Sequence, residues 1–143
     1  MNGVRVISAP GSFELPALAV AAARTGEFAG VLALGCIIKG ETSHDQYLAQ
    51  AVAMGLVQAT IATNVPVSFG VLTVDSLEQA RARAGGKHGN KGQEGMDALL
   101  DTIEQVRALD RGWRSGSHAA SRQARVVPDK AARRAGSHSG GGR

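Results

Sequence analysis

The sequence predicts an α/β fold in which a parallel sheet is covered by helices, and three observations lead there. Strand-length apolar runs alternate with helix-length amphipathic patterns through the first 110 residues, the order expected of βαβ units with right-handed crossovers. The run "GVLALGCII" is apolar almost throughout, as a strand buried on both faces should be. Pro10-Gly11, Gly26 and Gly85-Gly86 fall where the runs end, which is where backbone breakers belong.

"GVRVISA" (residues 3–9) reads as the first strand, stopped by Pro10-Gly11. "ELPALAVAAART" follows as a helix, with Pro16 near its first turn and Gly26 just past its end, the favoured positions of both residues. Residues 30–38 form the next strand. Ser43 can cap the helix after it, whose apolar stripe runs through Tyr47, Leu48, Ala51, Val52, Gly55, Leu56 and Ala59. "VPVSFGVLT" (residues 65–73) is a further strand, with Pro66 tolerable at its beginning. Asp75 followed by Glu78 makes a capping-box-like start for the short helix "SLEQARARA". "GGKHGNKG" reads as a loop leading to a last helix, with Met96, Leu99, Leu100, Ile103 and Val106 on its inner side.

The 143 residues, 43% of them hydrophobic, suit one domain with a real core. Charge is unevenly spread. Residues 1–110 carry 8 Lys and Arg against 11 Asp and Glu, whereas residues 111–143 carry 8 against 1, a local charge of +7. That second stretch is rich in Gly, Ser, Ala and Arg and reads as a disordered basic tail. With one Trp and no regular aromatic interleaving, it argues against specific nucleic-acid binding. The single cysteine, Cys36, excludes an intramolecular disulfide and a cysteine-rich metal site and fits a reducing cytoplasm. No apolar run approaches the ~18 residues that span a bilayer, and no signal peptide is evident.

Functional groups in open α/β sheets gather beyond the carboxyl ends of the strands. The loops "APGSFELP", "KGETSH" and "TVDS" occupy that position. In "KGETSH", Gly40 permits close backbone approach, and the helix starting near Ser43 offers unpaired N–H groups to an anion such as phosphate. His44 would stand beside that anion, and imidazoles move protons near neutral pH. A lone histidine at a helix start is equally an ordinary surface residue. Phe13 and Phe69 alone read as core, Glu14 as a helix-start charge, Lys91 with Glu94 as a surface ion pair, Arg81 as solvated and His88 as loop.

Taken together, "APGSFELP", "LGCIIKGETSHDQYL", "PVSFGVLTVDSLEQARARAG" and "GNKGQEG" resemble, in order and spacing, the lumazine synthase family of riboflavin biosynthesis, over about residues 3–109. The resemblance implies a three-layer α-β-α sandwich with a flavodoxin-like parallel sheet. It implies condensation of 5-amino-6-ribitylaminouracil with 3,4-dihydroxy-2-butanone 4-phosphate to 6,7-dimethyl-8-ribityllumazine, with no metal or organic cofactor. His44 matches the family's proton-transfer histidine. Ser12, Phe13 and Glu14 match the segment holding the ribitylaminouracil, and Cys36, Ile37 and Ile38 the strand end that contacts its pyrimidine. Glu41 and Thr42 match the phosphate loop, with Glu41 acting through its backbone. Arg83 matches a phosphate-binding arginine and Phe69 a residue over the heterocycle, both supplied by a neighbouring subunit; Lys91 and Glu94 match positions lining the site. The implied partners are further copies of the chain, as pentamers or as icosahedral capsids of twelve pentamers, with riboflavin synthase a candidate companion.

Two departures accompany the match. Family members carry roughly 40 to 50 residues before "APGSFELP" that include a first strand, a helix and an aromatic residue stacking on the pyrimidine, and that strand sits centrally in a flavodoxin-like order. Its loss would leave unpaired backbone and exposed apolar surface, more than a stability of about 5–15 kcal/mol can absorb. A misassigned start at Met1, or a fragment, is the expectation. The basic tail is the second departure, since the family ends near Leu109. A truncated, non-catalytic scaffold or polyanion-binding remnant is therefore the alternative to an active enzyme.

Overall fold

The computed structural model describes residues 3–123, with side chains described through residue 112. A 3-10 turn (Ser12–Glu14) leads into α1 (Leu15–Arg24), then β1 (Val31–Ile38), α2 (His44–Thr63), β2 (Val67–Val74) and α3 (Leu77–Arg83). A short hairpin, β3 (Ala84–Gly86) and β4 (Gly89–Asn90), precedes α4 (Lys91–Gln123). The described residues up to Arg107 fall in one compact unit and those from Ala108 onward in a second.

β1 and β2 are parallel and in register along their whole length, from Val31 opposite Val67 to Ile38 opposite Val74. The ladder gains one bond at each end, from the Val31 N–H to the Pro66 carbonyl at 2.9 Å and from the Lys39 N–H to the Val74 carbonyl at 2.8 Å. Pro66 thus accepts in the ladder just before β2 begins, where its missing donor interrupts nothing. α2 joins the two strands as a βαβ unit. At its end, the Thr60 hydroxyl accepts from the Val67 N–H, so the last turn of α2 and the first residue of β2 are tied directly.

One face of the sheet holds the core: Ala33, Ile37 and Val71 from the strands pack with Val52, Leu56 and Ala59 of α2 and Ala19 of α1. Small residues bring α1 and α2 close. A Cβ at Gly55 would lie 2.8 Å from Cβ and Cγ of Pro16, so no larger residue fits that crossing without movement. On the opposite face, the Ser68 hydroxyl donates to the Gly95 carbonyl at 2.7 Å, while Leu32 lies against Gly95 and Leu34 against Gly92. Helices therefore cover both faces, giving the expected three-layer α-β-α arrangement around a parallel sheet.

Several expectations need correction. Residues 3–9 form no strand, and Val4 and Val6 are 82% and 87% exposed. A strand is held by a hydrogen-bonded neighbour, and among the described residues none lies beside this segment; the sheet of β1 and β2 has two strands. β1 is not buried on both faces either: Ala33 and Ile37 are buried, but Leu34 is 55% exposed and Cys36 is exposed. Gly92 and Gly95 meet that second face without side chains to cover it. On α2, Tyr47 and Ala51 point outward, and Val52, Leu56 and Ala59 carry the contact. On α4, Leu100 and Val106 are exposed, whereas Gly95 and Leu99 are buried.

Caps also differ from expectation. Ser43 flanks α2 with φ −77° and ψ 13°, and its side chain makes no cap hydrogen bond; an N-cap normally needs extended backbone. The Thr42 hydroxyl instead accepts from the His44 N–H at 3.4 Å. The cap of α3 is Ser76, in extended conformation, whose hydroxyl accepts from the Gln79 N–H. Gln79 in turn accepts from the Asp75 N–H and donates to its carboxylate. The "GGKHGNKG" segment is a β-hairpin rather than a plain loop. Where a disordered tail was expected, the backbone of residues 111–123 continues α4; residues 124–143 of that tail lie outside the described residues.

Candidate functional site

β1 delivers its carboxyl end, Cys36, Ile37 and Ile38, straight into the loop that holds Glu41 and Thr42 and then into α2, of which His44 is the first residue. Ile37 is buried and anchors the strand end, while Cys36 and Ile38 face outward. Glu41, Thr42 and His44 are all exposed. At this helix start the His44 N–H donates to the Thr42 hydroxyl and the Gln46 N–H to the Ser43 carbonyl at 3.1 Å, and the positive end of the α2 dipole lies beside an imidazole. Asp45, in the first turn of α2, has a buried side-chain oxygen, Oδ1, with no hydrogen-bond partner.

The 3-10 turn brings a second group of residues to the same strand. A Cβ at Gly35 would lie 3.1 Å from the Ser12 hydroxyl and 3.3 Å from Leu15 Cδ1, so Ser12 rests on β1 next to Cys36. Glu14 is exposed and its Oε2 turns back toward Gly11. Phe13 is 64% and Phe69 45% exposed; neither is the core residue that its hydrophobicity alone suggests.

Arg83 lies elsewhere. It is half-buried, and Nη1 donates to the Gln79 carbonyl one turn back at 3.2 Å. It lines an open cleft of about 350 Å³ together with Ser76, Glu78, Gln79, Ala82, Lys87 and His88. None of Ser12, Phe13, Glu14, Glu41, Thr42 or His44 lines this cleft. Arg81 is exposed. Lys91 and Glu94 are brought together as an ion pair, with Nζ 2.7 Å and 3.0 Å from the two carboxylate oxygens, about half exposed.

Sequence reasoning missed Asn90, whose carboxamide oxygen accepts from the N–H groups of Gly92 and Gln93 and so caps α4. An Asn directly before a helix was the available signal. It also missed that Lys87 and His88 join Arg83, because only the hairpin folds them back. Among the described residues, no three His, Cys, Asp or Glu side chains converge in a way that could hold a metal ion, and no helix is long and apolar enough to cross a membrane.

Comparison with known proteins gives this geometry its context. The sequence model of 6,7-dimethyl-8-ribityllumazine synthase matches residues 1–107. The chain is 47% identical over 104 residues to 6,7-dimethyl-8-ribityllumazine synthase 1 of Caulobacter vibrioides, covering 73% of this chain and 68% of that one. It is 42% identical over 109 residues to the 6,7-dimethyl-8-ribityllumazine synthase of Desulfovibrio desulfuricans, covering 76% and 70%. The enzyme of the same name from Nitratidesulfovibrio vulgaris is 41% identical over 108 residues, covering 76% and 69%. With its family model spanning the whole compact unit, the chain belongs to the 6,7-dimethyl-8-ribityllumazine synthase family.

Proposed function

We propose that this chain catalyses the condensation of 5-amino-6-ribitylaminouracil with 3,4-dihydroxy-2-butanone 4-phosphate to 6,7-dimethyl-8-ribityllumazine, with release of phosphate and water. The observation that carries the reading is the end of β1, the loop with Glu41 and Thr42, and His44 at the start of α2 in direct succession, in a chain of this family. The uracil's amine attacks the ketone to give an imine, phosphate leaves, and ring closure with dehydration completes the product. Each step moves protons, and holding two substrates in reactive geometry supplies much of the rate.

In this reading the backbone at Cys36, Ile37 and Ile38 and the Ser12–Glu14 turn hold the ribitylaminouracil, with Glu14 accepting from ribityl hydroxyls. The exposed Phe13 and Phe69 border the heterocycle. Glu41 and Thr42 receive the phosphate, and His44 shuttles protons beside it. Lys91 lines the site in its ion pair with Glu94. Arg83 completes the phosphate site of a neighbouring subunit, through the planar fork that suits phosphate oxygens. Its separation from His44 in the cleft lining supports that division. The active form is then a homo-oligomer, a pentamer or an assembly of pentamers, with the catalytic unit in residues 1–110.

The test is substrate-resolved kinetics. Arg83→Ala is expected to raise KM for the phosphorylated substrate by about tenfold or more while leaving binding of the ribitylaminouracil unchanged. Equal losses for both substrates would remove Arg83 from the phosphate site.

A further inference from the structure

Positive charge in this chain is concentrated beyond the region that the family model matches. That model ends at residue 107, and residues 111–143 carry eight Lys and Arg against one acidic residue, Asp129. The change falls within a single helix. α4 (Lys91–Gln123) has five acidic and two basic residues from Lys91 to Asp110, then three arginines and no acidic residue from Arg111 to Gln123. Arg111, Arg114 and Arg122 are spaced by three and eight residues, which puts them on one face of a helix. Every residue from Glu104 to Gly112 is exposed, so the basic half of α4 begins on a stretch that adds nothing to the core. The helix dipole favours cations only within the last turn. It accounts for Arg122, but not for Arg111, Arg114 or the five basic residues that follow Gln123.

We propose that residues 111–143 bind nucleic acid through its phosphate backbone and without regard to sequence. Seven of the eight cations are arginine, whose planar fork hydrogen-bonds phosphate oxygens bidentately. Trp113, Val126 and Val127 are the only large apolar residues of the stretch. That composition disfavours two other partners. A helix lying in a membrane interface needs a continuous apolar face, and the positions that follow Trp113 on its face of α4 are Gly116, Ser117 and Ala120. A protein partner is held by clustered aromatic and aliphatic anchors, which the stretch lacks as well. A nucleic-acid strand asks for neither, because neutralising its phosphates and releasing their counterions supplies the affinity. Without interleaved aromatic residues to stack on bases, the contact reads no sequence. Residues 1–110, with 8 Lys and Arg against 11 Asp and Glu, repel the same ligand and confine it to the basic stretch.

The test is fluorescence anisotropy of two labelled DNA duplexes of unrelated sequence, titrated with the full chain over a salt series. Both duplexes are expected to bind alike and to lose about 10³-fold or more in affinity between about 50 mM and about 200 mM salt, the effect of about six phosphate contacts. Arg111→Gln, Arg114→Gln and Arg122→Gln together should reduce the slope of log affinity against log salt by about three. Arg111→Lys, Arg114→Lys and Arg122→Lys together should keep it, since the charge remains. Arg24→Gln, on α1 and outside the basic stretch, should change nothing. Circular dichroism and size exclusion check that each variant is folded and assembled as the wild type is. No binding at low salt, a triple glutamine variant that keeps the wild-type slope, or an affinity differing about tenfold between the duplexes overturns the proposal. So does a chain that stays on phosphatidylserine vesicles in the presence of excess duplex, which would assign the stretch to a membrane.

Discussion

His44 and Gly55 sit on the same helix and show how differently single residues contribute. His44 is exposed at the first position of α2 and takes no part in the core, so His44→Ala is expected to slow turnover by about 10²–10⁴-fold, the usual contribution of a general acid–base group. Steady-state kinetics and size exclusion together check this; dissociation of the assembly would make the residue structural instead. Gly55 lies where α2 meets Pro16 of α1. Gly55→Val is expected to cost about 1–3 kcal/mol through overpacking, read as a lower denaturation midpoint with little change in the local chemistry. The place of His44 was legible, because "KGETSH" sits between an apolar strand and an amphipathic helix. The capping partner was not: Thr42 and Ser43 are both capping residue types, and only the backbone angles at Ser43 decide between them. The exposure of Phe13 and Phe69 was likewise hidden, since hydrophobicity describes what a side chain prefers and not whether a neighbour covers it.

Local sequence signals located β1, α2, β2 and the start of α4 to within a few residues, because each has an unambiguous period or breaker. Tertiary contact decided the rest. The hairpin of Ala84–Gly86 with Gly89–Asn90 contains too few residues to show alternation, and its register depends on the fold-back onto α3. Gly86→Ala should therefore disturb the Arg83 cleft more than the fold, since the clash is with backbone atoms of Arg81 and Ala82; a raised KM for the phosphorylated substrate with little change in thermal stability would show it. Asn90→Ala removes the acceptor for two N–H groups of α4 and is expected to cost about 1 kcal/mol, measurable by denaturant titration. Residues 3–9 carry the composition of a strand but, among the described residues, lack a neighbour to pair with. Their amides are expected to exchange rapidly with solvent in this chain, and to become protected when a strand is supplied beside them. Protection in the chain alone would mean that pairing exists which the two-stranded sheet does not provide.

At the scale of the molecule, the proposed reading gives one chain two half-sites. The strand end with His44 lies at one place and the Arg83 cleft has other walls, so the proposed chemistry needs a second copy. Co-expressing His44→Ala with Arg83→Ala tests this. In a mixed ring, about a quarter of the interfaces pair an intact His44 with an intact Arg83, so at low concentrations of the phosphorylated substrate about a quarter of wild-type activity is expected, above the level of either variant alone. No recovery in oligomers of mixed composition would place both residues in the same chain's site. The apolar side chains left outside, among them Val4, Val6, Phe13, Tyr47 and Ile61, are more than a small isolated unit normally exposes and fit a protein that functions in association. The family itself was legible from four motifs in register, whereas an assembly entered only as what that resemblance implies, because an interface residue and a core residue look alike in one sequence.

The most direct test is to follow lumazine formation by absorbance across the size-exclusion profile of the purified chain. Product formation confined to a peak of pentameric or larger mass, and lost in His44→Ala at the same elution position, is the expected result. A folded oligomer that binds both substrates yet forms no lumazine, or full activity in a monomer peak, would contradict the account.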